Sequence, residues 1–512
     1  MSHKKIIILL MMPVLLVLSC TKLEEDLRGD IPRAEAERIS NVNALLKATY
    51  DGLQLPFQDQ ANVWALQEHS TDEALPPTRA GDWDDNGVWR VLHTHTWNAD
   101  HTYVRDVFNN LLGVVFNATN VLSFNPNAQQ AAEAKFLRAF AMFTVLDLYG
   151  QVPFREPGEN LLNPPKVLKG IEALDFIVED LNAILNDLPA TSDDFVANRD
   201  AARVLLMKCY LNKGVFANRE TPTFDAADMN QVITLADQIT ATGKYSLEDN
   251  FYDNFAPNNH TASSENIFTQ QNGPGINRNG NGARSRYYSS LHYNSPIPGG
   301  GWNGFTTLSD FYDKFEAADK RRGDAYPGVT DSSGLRVGLL LGQQVNKSGA
   351  NLTDRSGSRL LSFTREVKLI ETGANLEVTG IRVVKYPPDL FNGDNANNDY
   401  VFFRYADVLL MKAEALLRTS NAPAGLIIVN SIRAKRQASA LATLTADNLL
   451  DERGREMYWE SWRRQDLIRF GKFLQPFQEK PGTSGKERLL YPIPNAALAV
   501  NPNLEQNPGY TQ

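Results

Sequence analysis

Cysteine is almost missing from this chain: Cys20 and Cys209 are the only two in 512 residues, so no disulfide framework can hold it together. Histidine is scarce too, and the closest pair, His93 and His95, has no third ligand at metal spacing, which argues against a zinc centre. Neither a Gly-x-Ser-x-Gly elbow nor a phosphate loop occurs, and no cofactor is implied. Basic patches are lacking as well. The net charge of −9 is spread along the chain, which argues against a nucleic-acid partner held through its phosphates.

Long apolar runs are confined to one place. Lys4-Lys5 followed by Ile6 to Leu18 is a charged leader and an apolar stretch of 13 residues, short of the roughly 20 that span a bilayer. It reads as a signal peptide over residues 1–19. Val17-Leu18-Ser19-Cys20 resembles a bacterial lipobox, whose cleavage leaves Cys20 as a lipidated N-terminus. Several acyl chains bind a membrane far more tightly than one, so Cys20 would be an anchor, with residues 20–36 as a polar tether.

What the chain does contain is helical periodicity in two blocks. Val42, Leu45, Leu46, Thr49 and Leu53 mark a first helix, and apolar stripes continue over 103–123, 133–149, 174–188, 201–216 and 231–242. Gly150 ends the third of these, and Ala134, Ala139 and Ala141 allow a neighbour to approach closely. Cys209 lies in the apolar run Val204 to Leu211 and reads as core. In the second block, Phe402 to Leu417 follows one helix face, and Asn421 and Pro423 open another helix running to about Arg433. Asp451 to Gly471 is also helical in pattern. There Glu452, Glu456 and Glu460 share a ridge, where like charges repel unless cations intervene, and Arg404 and Arg433 are the natural candidates. A buried structural network is the expectation for this segment, rather than catalysis.

The ordered series Arg404-Tyr-Ala-Asp-Val-Leu-Leu-Met-Lys-Ala-Glu-Ala415, Asn430-Ser-Ile-Arg433, Glu452-Arg453 through Asp466-Leu-Ile-Arg469-Phe-Gly471, Tyr491-Pro-Ile-Pro494 and Gln506-Asn-Pro-Gly-Tyr510 resembles the C-terminal half of the SusD/RagB family of outer-membrane glycan-binding lipoproteins. The resemblance implies a mainly α fold in which tetratricopeptide-like helical hairpins from both ends of the chain form one scaffold. It implies one domain over 37–512: a helical half at 37–244 with a loop at 64–100, an irregular insert at 245–400, and C-terminal helical motifs and tail at 401–512. Thr21 after the cysteine and the acidic Glu24-Glu25-Asp26 resemble the outer-membrane, surface-facing address of lipoproteins in the hosts of this family. A SusC-like TonB-dependent transporter is the implied partner, glycan the implied ligand, and binding without chemistry the implied mechanism, in nutrient uptake and glycan utilization.

The insert differs in chemistry from the helices around it. Gly273 to Phe305 is rich in Gly, Asn, Arg, Ser and Tyr without a period, Leu308 to Arg322 returns to a helical pattern, and Arg382 to Tyr386 reads as a short strand. Loops this long are commonly functional, and the aromatics here argue against disorder. Sugar rings offer flat C–H faces edged with hydroxyls, so a glycan site needs aromatic plates with polar groups at the rim. Two segments have that composition: Arg79 to Arg90, and Tyr287 to Phe305. The resemblance places the ligand site in these same two regions. Trp83 and Trp302 rank first, with Arg79, Asp82, Asn303, Tyr287 and Tyr288 at the rim, while Trp64 and Trp97 read as packing residues. Two further readings stand beside this one. Glu68, Asp72 and Glu73 could serve a glycoside hydrolase on a helical scaffold, if a cleft separates two of them suitably. The helical hairpins could also form a scaffold that binds only proteins. The oxygen-rich run Asn392 to Asp399 lacks the glycine and terminal glutamate of a calcium loop and reads as a solvated turn.

Overall fold

In the computed structural model, residues 41–277 and 282–511 are described; the expected signal peptide, Cys20 and the tether lie outside them. Side-chain caps from His101, Asn127, Asn198, Asp225 and Thr445 open five of the helices. In the first half lie α1 (Val42–Asp51), α2 (Val63–Glu68), α3 (Thr102–Leu122), α4 (Ala128–Tyr149), α5 (Gly170–Ile184), α6 (Arg199–Ala217) and α7 (Ala226–Ala241). The last quarter holds α8 (Tyr405–Arg418), α9 (Ala422–Lys435), α10 (Ala446–Met457) and α11 (Arg463–Arg469). Asn127 and Gln130 form a capping box at the start of α4, and Gly150 closes its end with φ 72°, a left-handed turn that glycine takes without strain. Thr445 and Asn448 repeat the box on α10.

Antiparallel hairpins pair α3 with α4, α6 with α7 and α8 with α9, and α7 packs on α8, which joins the two ends of the chain into one mainly helical scaffold. Helix α4 is buried over most of its circumference: Phe136, Leu137, Phe140, Phe143 and Leu146 are all enclosed. A helix apolar on every side belongs at the centre of the body. Short antiparallel ladders flank the helices: β1 (Gln151–Phe154) pairs with β2 (Lys166–Lys169), β3 (Asn266–Gln270) with a later strand, and β4 (Gly323–Asp324), β5 (Val337–Leu340) and β6 (Arg382–Val384) form a three-stranded sheet in that order.

Three stretches depart from the sequence reading. Phe402 to Arg404 is not the start of α8 but the end of a strand, β7 (Tyr400–Arg404), which pairs with β3 from Asn266↔Arg404 to Gln270↔Tyr400 through a bulged register. Its aromatic and β-branched residues are buried on both faces, and the helix begins only at Tyr405. The helix expected over 451–471 is broken between α10 and α11, where Trp459 (φ 60°) and Ser461 (φ 68°) are left-handed. Carboxylates from the N-terminal half capture the freed peptides: Trp459 N–H donates to Glu73 Oε2 (3.2 Å) and Ser461 N–H to Glu68 Oε1 (2.6 Å). Tertiary hydrogen bonds override local helix propensity here. Leu308 to Arg322 holds only the turn-long Ser309–Tyr312 helix and a 3₁₀ turn at Lys320–Arg322, because the chain bends to carry Arg321 into the interior.

That interior is ionic. Arg321 Nη1 reaches Glu452 Oε1 (2.7 Å) and Glu456 Oε2 (2.9 Å), Arg404 pairs with Glu456 (2.7 Å), Glu460 (2.8 Å) and Glu265 (3.1 Å), and Arg433 closes on Glu452 (2.6 Å). Arg436 joins Glu456 (2.8 Å) to Glu265 (2.7 Å). Arg404 and Arg433 therefore occupy the places expected of them, while Arg321 and Arg436 are additions. Burial alone would raise the Glu452 carboxyl, but Arg321, Arg455 and Arg433 hold it at about 2. All of these side chains are sealed from solvent, so the network sets packing geometry.

Candidate ligand-binding face

The segment after Pro77 and the segment after Arg284 meet on one face. Leu75 and Thr306 form an antiparallel bridge that brings the two chains side by side. Residues 79–87 then turn tightly, with Arg79, Ala80, Asp85 and Asn86 all at positive φ, so that Trp83 swings over the insert. The insert folds as a short helix, Ser285–Tyr288, followed by a return through Gly299 to Phe305, in which Trp302 N–H donates to Tyr288 O (2.7 Å) and Gly304 N–H to Ser289 O (2.9 Å).

Trp83 Nε1 donates to the backbone oxygen of Trp302 at 3.0 Å, and both tryptophans are half-buried rather than enclosed. Behind Trp83 lie Phe305, edge-on with centroids 4.7 Å apart, and the buried Trp89 at 6.0 Å. Trp302 stacks on Tyr288 at 5.7 Å and 23°. Gly304 makes the contact possible: a Cβ there would lie 2.6 Å from the Trp83 ring and 2.7 Å from Ser289 O. Arg284 stands over both Tyr288 and Trp302, 5.6 Å from each ring, and is ion-paired with Asp394.

The remaining expected site residues divide by depth. Asp82 is exposed and accepts from Tyr293 Oη at 3.2 Å. Arg79, Asn303 and Tyr287 are buried and unavailable as rim contacts. Arg79 Nε holds Gly304 O (3.2 Å) while Nη1 meets Glu371 (3.2 Å), and Asn303 Oδ1 accepts from Arg382 (2.8 Å), so these side chains brace the face from beneath. Burial pushes the Arg79 guanidinium down to about 10, with Glu371 opposing the shift. Tyr288 is largely covered as well, and its hydroxyl is spent on Pro298 O (2.6 Å).

The structure adds partners that sequence reasoning missed. Arg355 lies 4.1 Å from the centre of the Tyr293 ring, bonds Glu377 (2.5 Å) and stands 3.8 Å from Asp82. Glu377 also accepts from His292 Nε2 (2.8 Å), while Asn294 N–H donates to Nδ1 (2.9 Å), which fixes the neutral tautomer; burial pushes the His292 imidazole down from its ordinary range. Burial and the neighbouring Asp82 charge raise the Tyr293 hydroxyl, so it stays protonated as a donor. Tyr293 sits inside the aromatic segment and was within reach of the same compositional argument. Arg355, in a run of Ser, Gly and Asp, carried no signal.

Elsewhere the residues considered for chemistry are internal. Trp64 and Trp97 are fully buried packing residues. Glu68 and Glu73 are enclosed, while Asp72, tied to Arg463 (2.7 Å), lines a groove of 300 Å³ with Lys314 and Asp451, so only one of the three carboxylates reaches an open cleft and no pair of them spans it. Burial and the Glu73 charge push the Glu68 carboxyl well up, and burial raises Glu73 to about 7 despite the opposing Arg463. His93 bonds His69 O and Gln478 O (both 3.1 Å), and burial lowers it to about 4. Among the described residues no group of three or more His, Cys, Asp or Glu is placed to hold a metal ion, and no helix is long and apolar enough to cross a membrane. Asp389 ties the oxygen-rich run together by accepting from Phe391 N (3.0 Å), Asn392 N (3.2 Å) and Asn397 N (2.9 Å). A separate groove of 660 Å³, walled by Ser309, Arg365, Lys368, Glu371, Thr379 and Gln478 among others, has no aromatic side chain.

A model of the SusD family matches residues 264–510. The starch-binding protein SusD of Bacteroides thetaiotaomicron is 27% identical over 75% of this chain and 73% of its own length. A solved SusD-superfamily protein of Parabacteroides distasonis superposes with a TM-score of 0.72 at 17% identity, over 94% of this chain and all of its own. Surface glycan-binding protein A of Bacteroides thetaiotaomicron, solved in complex with laminarihexaose, gives 0.65 at 17% identity over 91% of this chain and 98% of that one. These two likenesses concern the fold.

Proposed function

The chain belongs to the SusD/RagB family, and from that premise we propose that it is a surface glycan-binding protein whose binding face is built on Trp83 and Trp302. Proteins of the family bind glycans without catalysing a reaction on them. The observation that carries the site is the meeting of two tryptophans 219 positions apart, joined by one hydrogen bond and each only half-buried. Their rings supply flat apolar plates, and Asp82, Tyr293 and Arg355 supply hydrogen-bonding edges beside them. That combination suits a sugar ring, whose C–H face stacks while its hydroxyls reach polar neighbours. A starch-binding relative and one solved with laminarihexaose support the same reading.

The lipobox-like Val17-Leu18-Ser19-Cys20 supports an outer-membrane anchor through Cys20, with the body facing outward. In this arrangement the protein captures an oligosaccharide and delivers it to a SusC-like TonB-dependent transporter. The test is a glycan array followed by calorimetry on the hits, with wild type beside Trp83→Ala and Trp302→Ala. Binding that each substitution weakens by about tenfold or more supports the site, since buried or half-buried aromatics dominate recognition energetics. Unchanged affinity in both variants would move the site elsewhere.

A further inference from the structure

The charges around the two tryptophans carry information about which glycan fits. Two guanidiniums stand over aromatic rings of the face: Arg284 over Trp302, and Arg355 over Tyr293, whose hydroxyl bonds Asp82 next to Trp83. Neither is free. Arg284 is held by Asp394, and Arg355 by Glu377 (2.5 Å) with Asp82 at 3.8 Å. The side chains of Asp82 (55% exposed), Arg355 (52%) and Asp394 (64%) stand in solvent, so these pairs lie on the face rather than under it. Among the side chains that reach solvent, three carboxylates thus outnumber two cations; the buried Arg382 beneath them bonds Asn303 and Glu377 O, and burial lowers the His292 imidazole beside Glu377. Asp85, on the same turn as Trp83, adds a further exposed carboxylate whose polar partner is the Trp89 indole N–H (2.6 Å).

We infer that the face selects a neutral oligosaccharide and rejects uronate-containing or sulfated glycans, with Asp82 and Asp394 as the residues that set this selectivity. The inference rests on the proposed glycan reading and sharpens it. A sugar hydroxyl can accept from the outward edge of a paired guanidinium and donate to a carboxylate, so a neutral glycan uses the face as it stands. An acidic sugar would have to break an existing ion pair to find a cation, and would meet a surplus of negative charge beside it. Like charges brought together in this way act against the wrong ligand more than they favour the right one.

The experiment screens wild type and Trp83→Ala against an array of neutral, uronate-containing and sulfated glycans. A bound oligosaccharide is then titrated beside the same oligosaccharide with its primary alcohols oxidised to carboxylates. Neutral hits that depend on Trp83, with the oxidised form bound at least tenfold more weakly, support the inference. A second arm uses Asp82→Asn with Asp394→Asn, which frees Arg284 from its ion pair and removes the more distant carboxylate beside Arg355, which Glu377 still holds. The gap between neutral and oxidised forms is expected to narrow, more so at low ionic strength. Trp83-dependent binding of acidic glycans by wild type overturns the selectivity while leaving the glycan site in place, and so does a gap that the double variant leaves unchanged. Absence of any Trp83-dependent hit overturns both the site and the inference.

Discussion

The ionic interior around Glu456 and the aromatic face around Trp83 use the same residue types in opposite ways. In the interior, Arg321, Arg404 and Arg436 converge on Glu456 and Glu265 with every member sealed from water. On the face, Arg284 and Arg355 make comparable pairs in the open, beside half-exposed rings. Sequestered, such a network fixes one arrangement of β7, α9 and α10 and has no surface to offer. Exposed, a pair is worth little to stability and is available to a ligand. Density of charge along a sequence is therefore a poor guide to function in this fold, and depth separates the two uses.

The contrast is sharpest at Arg404. Replacing it with Met leaves Glu265, Glu456 and Glu460 short of a partner, and a loss of about 3–5 kcal/mol is expected for breaking a buried pair, read as a fall in the denaturation midpoint. A midpoint within experimental scatter of wild type would place the network outside the folding core.

Next in size is the response to pH. Glu452 and Glu414 are both held at about 2, against burial, by the guanidiniums beside them. Their folded values lie below the unfolded carboxylate value of roughly 4.3, so the stability they contribute is full above that value and is lost as pH falls toward 2. Glu73 has the opposite sign. Its folded value of about 7 lies above the unfolded one, so the folded state binds the extra proton and stability declines as pH rises from about 4.3 through 7. Glu73→Gln is expected to flatten that decline in a series of melts between pH 4 and 8 while leaving the acid limb intact; an unchanged slope would contradict it.

On the face the expected stability effects are smaller and the binding effects larger. Gly304→Ala places a methyl group 2.6 Å from the Trp83 ring, so the indole must move away from Phe305. Altered tryptophan fluorescence with weakened glycan binding is expected, against a modest cost in melting temperature; wild-type binding would show that the position of Trp83 does not matter. Smallest of all is the exposed Lys47–Asp51 pair (2.7 Å) on α1. Lys47→Ala should change stability by no more than about 0.5 kcal/mol, and a larger loss would undo the distinction drawn by depth.

Much of this was legible in the sequence, for identifiable reasons. Helix periodicity located α1, α3 and α6 closely and Gly150 the end of α4, because each helix buries an apolar stripe against a neighbour, while the polar first turns of α4 and α7 start five residues ahead of the expected positions. The break at Trp459 and Ser461 was not legible, since its cause is a pair of carboxylates nearly 400 positions away. The strand at Tyr400–Arg404 was hidden by the helical spacing that continues directly from it. Glycine- and aromatic-rich composition singled out Trp83 and Trp302. It could not separate the exposed Asp82 from the buried Arg79, Asn303 and Tyr287, because depth depends on Gly304, Arg382 and Glu371, which come from elsewhere in the chain.

The most direct test of the division between a structural interior and a working face is hydrogen–deuterium exchange on the whole protein, with and without a glycan identified on the array. Slowed exchange confined to residues 79–90 and 284–305, with 446–469 unchanged, is the predicted pattern. Protection that appears instead along 446–469, or only around the groove at 365–379, would contradict it.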